Sequence, residues 1–212
     1  MNFLKTAAAA ATLALIASTS NAEGTRIGAG ISMFGPTVEA QSRLGNAITV
    51  RGTYSGYGAS GSQTIDGIDY TLSGRMGGLS AMFNYHMPGG FRVGAGFFKS
   101  TSSVTGTTSF DAGDEVGGYT LPGSASYEGT TTFARTYAPM TTVGLDIPIF
   151  GDLVLSTDAG MVFNGGYTVD FTQTSGTAIP GSNLTSAEQN LEDQLSNYKV
   201  FPYVSMMVGM WF

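Results

Sequence analysis

Few side chains in this chain are suited to acid–base, nucleophilic or metal chemistry. His86 is the only histidine, so a Ser-His-carboxylate hydrolase would have to be built around it. Cysteine is absent, which removes thiolate metal sites, disulfides and a lipid-modified N-terminus. Asp111, Asp114 and Glu115 offer the oxygen donors that calcium or magnesium takes, but their spacing is not that of an EF-hand loop, and a solvated acidic loop accounts for them. Gly28-Ala29-Gly30 and Gly94-Ala95-Gly96 look like fragments of nucleotide loops, yet no helix follows either, so the phosphate-binding context fails. No catalytic, cofactor-binding or metal-ligating residue is expected.

What remains is a set of isolated charges: Arg26, Glu39, Arg43, Arg51, Arg75, Arg92, Asp146, Asp158 and Lys199. Their setting is a period of two. Successive side chains of a strand point to opposite faces, so a strand between lipid and a polar lumen must alternate. Ile27, Ala29, Ile31 and Met33 oppose Arg26, Gly28, Gly30 and Ser32. Val38, Ala40 and Leu44 oppose Glu39, Gln41 and Arg43, and Phe91, Val93, Ala95 and Phe97 oppose Arg92, Gly94 and Gly96. Val143, Leu145 and Ile147 oppose Asp146, and Leu153, Leu155, Ala159 and Met161 oppose Asp158. The charges fall on one face, which places all nine in the lumen. Between Ile68 and Tyr85 the phase changes, and a bulge near Gly77-Gly78 is expected to restore it.

Short connections at 44–47, 87–90 and 150–152 alternate with long ones at 59–67, 100–129 and 165–198. With a break at Gly35-Pro36, this predicts an all-β, antiparallel up-and-down barrel of eight strands: 25–34, 37–44, 47–58, 68–86, 90–100, 130–149, 152–164 and 199–212. The last long connection carries the one helical pattern. Thr185 and Glu188 form a capping-box pair, and Leu184, Leu191, Leu195 and Tyr198 recur at helical spacing.

Residues 1–22 read as a signal peptide, with a basic start at Lys5, an apolar stretch and small residues up to Ala22. Residues 23–212 then form the barrel in the outer membrane of a Gram-negative bacterium. No later apolar run reaches the roughly 18 residues of a membrane helix. Fifteen acidic residues against nine basic ones argue against nucleic acid as a partner.

The last segment alternates Val204, Met206, Val208, Met210 and Phe212 with Tyr203, Ser205, Met207, Gly209 and Trp211. It resembles the C-terminal signal by which outer-membrane barrels engage their assembly machinery. The whole arrangement resembles small barrels of the OmpA and OmpX type, without the periplasmic domain found in OmpA. It is closer to an uncharacterised proteobacterial barrel family, through Asp66-Gly67-Ile68-Asp69-Tyr70, Pro88-Gly89-Gly90-Phe91-Arg92 and Lys199-Val200-Phe201-Pro202. That resemblance implies fold and location but no activity.

Three functional readings follow. The first is a non-enzymatic barrel plugged by paired lumen charges, since an unpaired buried charge is costly, serving envelope structure or surface contacts through acidic external loops. The second is a narrow, porin-like channel for ions or small solutes, whose excess of lumen cations would favour anions. The third is a lipid-modifying enzyme using His86, which otherwise reads as an interfacial residue. The expected partners are outer-membrane lipid and lipopolysaccharide, which the acidic loops would meet through bridging divalent cations. Aromatic residues are expected in two girdles, with Tyr85, Phe91, Phe150, Trp211 and Phe212 at one end and Tyr54, Tyr57, Tyr70, Tyr137 and Tyr167 at the other.

Overall fold

A computed structural model describes residues 24–65 and 68–212. The expected signal peptide, the Asp66-Gly67 pair and the side chains of Asp69 and Tyr70 lie outside the described residues.

Eight strands close into a ring: β1 (Thr25–Ser32), β2 (Gly35–Arg43), β3 (Ile48–Ile65), β4 (Ile68–His86), β5 (Phe91–Ser100), then, beyond an external excursion, β10 (Tyr137–Phe150), β11 (Leu153–Val162) and β13 (Phe201–Trp211). All neighbours are antiparallel. The ring is sealed by β1 against β13, with Ile27 opposite Met210 and Ile31 opposite Met206. Closure leaves no free edge in the ring, and every strand can satisfy its backbone groups, as an apolar surrounding demands. No described helix is long and apolar enough to cross a membrane.

Partition between the faces is inverted relative to a soluble protein. Phe97 and Val143 are each 60% exposed on the outer wall, whereas Arg26, Arg51 and Arg92 are no more than 1% exposed inside. Such a wall is stable only where its surroundings are apolar. Val204, Met206, Val208, Met210 and Phe212 form one stripe of that outer wall.

Two turn assignments differ from the sequence reading. The first hairpin turns at Met33-Phe34, because Ser32 pairs with Gly35 and Gly35 takes the positive φ (+100°) that closes so short a loop. The Phe34 amide donates to Ser32 Oγ at 3.1 Å. The bulge expected at Gly77-Gly78 does not form between β3 and β4, whose ladder runs unshifted from Ile48–Tyr85 to Ile65–Ile68. The glycines serve a branch point instead. The partner of β4 changes there from β5, ending at Gly78–Ser100, to β6 (Ser103–Phe110), starting at Arg75–Ser103. A side chain at Gly78 would collide with the Phe98 ring.

The long connections are ordered beyond expectation. β6, β9 (Ala125–Phe133) and β12 (Tyr167–Gly176) pair in that order onto the projecting part of β4, so the barrel wall continues outward as a sheet. A small ribbon, β7 (Glu115–Val116) and β8 (Tyr119–Thr120), lies between β6 and β9 in sequence. Leu121, Ala125, Tyr127 and Ile179 give this extension its own buried cluster.

The helix α1 (Gly181–Leu195) begins after Pro180, so Thr185 is inside it and the capping box is not used. Glu188 has another task. Its Oε1 accepts the Phe171 amide at 2.8 Å, while Glu192 Oε1 accepts the Val169 amide at 2.9 Å. Carboxylates one turn apart thus occupy alternate donors of β12, the edge strand of the extension, and cover an edge that would otherwise invite pairing.

Candidate functional site

The lumen is filled in two layers. The layer nearer the short turns is an ionic network, in which Arg26 Nη2 donates to Glu39 Oε1 at 2.7 Å and to Gln41 Oε1 at 2.8 Å. Arg51 Nη1 donates to Asp158 Oδ2 at 2.6 Å and lies 3.5 Å from Glu39 Oε2. Arg92 grips Asp158 with both arms of its fork, Nη2 to Oδ2 at 2.8 Å and Nε to Oδ1 at 3.3 Å, and donates through Nη1 to Asp146. Arg26 Nη1 is 3.2 Å from the same Asp146 oxygen, Oδ1, an ion pair without hydrogen-bond geometry. Ser156 and Ser205 donate to Asp146 and Asp158 at 2.6 and 3.2 Å.

Three cations therefore face three anions, joined across β1, β2, β3, β5, β10 and β11. Bidentate, charge-assisted contacts of this kind offset the desolvation that makes buried charge expensive. Gly144 makes room for them: a Cβ there would lie 2.5 Å from Asp158 Oδ1 and 2.8 Å from Arg92 Nε.

Three of the expected lumen charges lie elsewhere. Arg43 has the inward parity but sits one step past the network, exposed at the turn-side lip, its guanidinium 4.2 Å from the Trp211 ring centroid. Arg75 is exposed and on the outward parity, because the unshifted β3–β4 ladder keeps it in phase with Leu79. Lys199 precedes β13 and is exposed at the opposite rim. With these removed, the lumen has no excess of positive charge.

The layer nearer the long connections is aromatic and apolar. Phe34, wholly buried at the tip of the first hairpin, folds into the lumen and stacks on Phe98 at 4.3 Å and Phe201 at 5.2 Å between ring centroids. Phe133, Tyr203, Met82, Met140, Ala138 and Val162 complete the cluster, and Tyr167 packs on Phe133 from the extension. Met82, Phe98 and Tyr203 share the parity of Asn84, Arg92 and Ser205, so the pattern held the signal. Phe34 and Phe133 lie at strand ends, where alternation gives no direction.

His86 is not at a lipid interface. Its Nε2 lies 2.9 Å from Thr49 Oγ1 and 3.3 Å from Gln41 Nε2, and its Nδ1 lies 3.8 Å from Asp146 Oδ2. Hydroxyl, imidazole and carboxylate are thus in sequence, but Thr49 is buried and already accepts from Gln41 Nε2 at 2.9 Å and Asn84 Nδ2 at 3.4 Å. Asp146 Oδ1 is held by Arg92 and Ser156. This geometry suits a closing network at the lip better than a nucleophile, which needs a free approach to substrate.

Among the described residues no cluster of three or more potential metal ligands occurs. One hollow of about 390 Å³ lies on the outer wall, with Ile27, Ala29, Val38, Val208 and Met210 in its lining, where small side chains interrupt larger ones.

No family model matches the chain, and no curated protein sequence matches it. Two crystal structures of Acinetobacter baumannii proteins share its fold. CarO superposes with a TM-score of 0.56 and CarO2 with 0.57, each at 16% identity over 89% of this chain and 97% of the other. At that identity the likeness is one of fold, and the fold is that of a small outer-membrane β-barrel.

Proposed function

We propose that the protein is a closed, non-conducting and non-enzymatic barrel of the Gram-negative outer membrane, exported by a cleaved signal peptide. Its functional face is the external sheet and helix, which would serve envelope structure or surface contacts. The observation that carries this reading is the double filling of the lumen: a balanced network of Arg26, Arg51 and Arg92 with Glu39, Asp146 and Asp158, beneath an aromatic layer centred on Phe34. An eight-stranded barrel is narrow enough for side chains to fill it, and here two stacked layers of buried side chains do so. The outward stripe from Val204 to Phe212 supports recognition by the barrel-assembly machinery during insertion.

Single-channel recording tests the reading. Mature protein is refolded, checked for heat-modifiable mobility and placed in a planar bilayer. Folded, inserted protein is expected to be silent, and discrete reproducible steps would overturn the closed-lumen reading in favour of a channel.

A further inference from the structure

Basic residues in this barrel are sorted by height. Of the nine lysines and arginines, Lys5 lies outside the described residues, Arg26, Arg51 and Arg92 are buried in the lumen, and Arg43 lies at the turn-side lip. The other four, Arg75, Lys99, Arg135 and Lys199, are all exposed at the opposite rim. Among the described residues none of these four is in an ion pair.

Three of them form an arc over the ends of consecutive ring strands. Lys99, the last residue but one of β5, has the outward parity, next above Phe97 and opposite Leu79 and Tyr137, with Nζ 5.5 Å from the Tyr137 ring centroid. Arg135, just before β10, donates its amide to the Asn164 carbonyl at 2.9 Å and lays its side chain across Gly165, where a Cβ would lie 2.9 Å from Nε. The Gly165 amide donates to the Lys199 carbonyl at 3.1 Å. Gly165, at φ +78°, thus links the Arg135 side chain to the Lys199 backbone, and Tyr137 and Tyr198, next to them along the chain, are exposed.

Among the described residues no acid answers this charge. Asp111, Asp114, Glu115, Glu128, Asp170, Glu188, Glu192 and Asp193 belong to the extension beyond the rim, and Glu188 and Glu192 are committed to β12. Below the arc runs the apolar wall, with Leu79, Phe97, Met161 and Val204 exposed. The counter-charge must therefore come attached to something apolar. A soluble acidic partner would cover the cations and leave the wall bare; an anionic lipid matches both. Arginine receives phosphate through its fork, lysine snorkels above an apolar column, and tyrosine favours the head-group level.

We propose that Lys99, Arg135 and Lys199, flanked by Tyr137 and Tyr198, dock the phosphate groups of an outer-leaflet lipid whose acyl chains lie down the wall formed by β5, β10, β11 and β13. The proposal rests on the outer-membrane reading and supplies the lipid contact without a bridging cation.

The test counts lipid retained on refolded, detergent-solubilised barrel by native mass spectrometry. The probes are bis-phosphorylated lipid A, the same glycolipid dephosphorylated, and inorganic phosphate as competitor. Wild-type protein is expected to retain the phosphorylated form selectively, to lose it as salt is raised, and to ignore millimolar inorganic phosphate. Replacing Lys99, Arg135 and Lys199 together by Gln is expected to weaken retention roughly a hundredfold, and Arg43→Gln to leave it unchanged. Equal retention of the dephosphorylated lipid, salt-independent retention by wild-type protein, or displacement by inorganic phosphate alone would overturn the proposal. The salt series needs no variant to fold. Failure of the wild-type chain to insert and show heat-modifiable mobility would instead overturn the outer-membrane reading, whereas an inserted barrel indifferent to lipid phosphate would overturn this inference alone.

Discussion

Replacing Asp158 by Asn changes one atom and removes the charge that two buried guanidiniums share. Asp158 is 3% exposed and receives Arg51 at 2.6 Å, Arg92 at 2.8 and 3.3 Å, and the Ser205 hydroxyl at 3.2 Å. The amide retains a single acceptor and turns two hydrogens toward the cations. As anionic partners Arg51 keeps only Glu39, at 3.5 Å, and Arg92 only Asp146. Breaking a buried pair in this way costs about 3–5 kcal/mol, because the remaining charge stays buried. Urea titration of the barrel in lipid vesicles, followed by the fluorescence of Trp211, the single tryptophan, reads the loss directly. Adding Arg51→Met to Asp158→Asn should recover part of the stability, giving a coupling of at least about 1.5 kcal/mol in a double-mutant cycle. A loss below about 1 kcal/mol would put the pair in the range of solvated surface bridges. It would mean that water fills this layer and that the lumen is not plugged there.

Other perturbations separate the layers. Gly144→Val should lower the urea midpoint by an amount equivalent to about 1–3 kcal/mol, because the new side chain enters the space of the Arg92–Asp158 pair. Phe34→Ala should cost about 3–5 kcal/mol in the same titration, since a wholly buried ring is lost, yet the bilayer recording should remain silent because the ionic layer is untouched. Replacing Glu188 and Glu192 by Ala should speed amide hydrogen exchange at Phe171 and Val169 by roughly tenfold, while Gln, which keeps an acceptor, should change it much less. Exchange at Met206 and Val208, in the ring, should not respond.

The ring was legible because lipid makes alternation strict. Every strand facing an apolar solvent must spend one parity on it, and closure demanded an even count, so the eight strands emerged from local pattern and loop length. The extension was not legible for the converse reason. In β6 and β9, segments such as Val104 to Ser109 and Glu128 to Thr132 are rich in Thr, Ser and Gly and are partly exposed on both faces, so neither parity is marked. The Glu188–Phe171 and Glu192–Val169 bonds were likewise hidden, since a carboxylate on a helix carries no mark of the backbone it will cap.

Parity states which face a residue takes but not how high on the strand it stands, and that distinction separates the charges. Gln41 and Arg43 have the same parity; one accepts from Arg26 inside the network, whereas the other has passed the lip and rests on Trp211. Lys199 lies outside the strand whose phase was extended to it, and Arg75 changed faces when the expected bulge did not form. The missing quantity is the vertical stagger of neighbouring strands, which is set by closure of the whole barrel rather than by any one segment. Once that stagger is known, the nine charges cease to be one population. Six meet across the lumen and neutralise one another, while Arg75 and Lys199 join Lys99 and Arg135 at the rim, where no acid among the described residues answers them. The same positional error that credited the lumen with surplus cations therefore concealed the basic rim, and correcting it weakens the anion-channel reading as it creates the lipid-binding one.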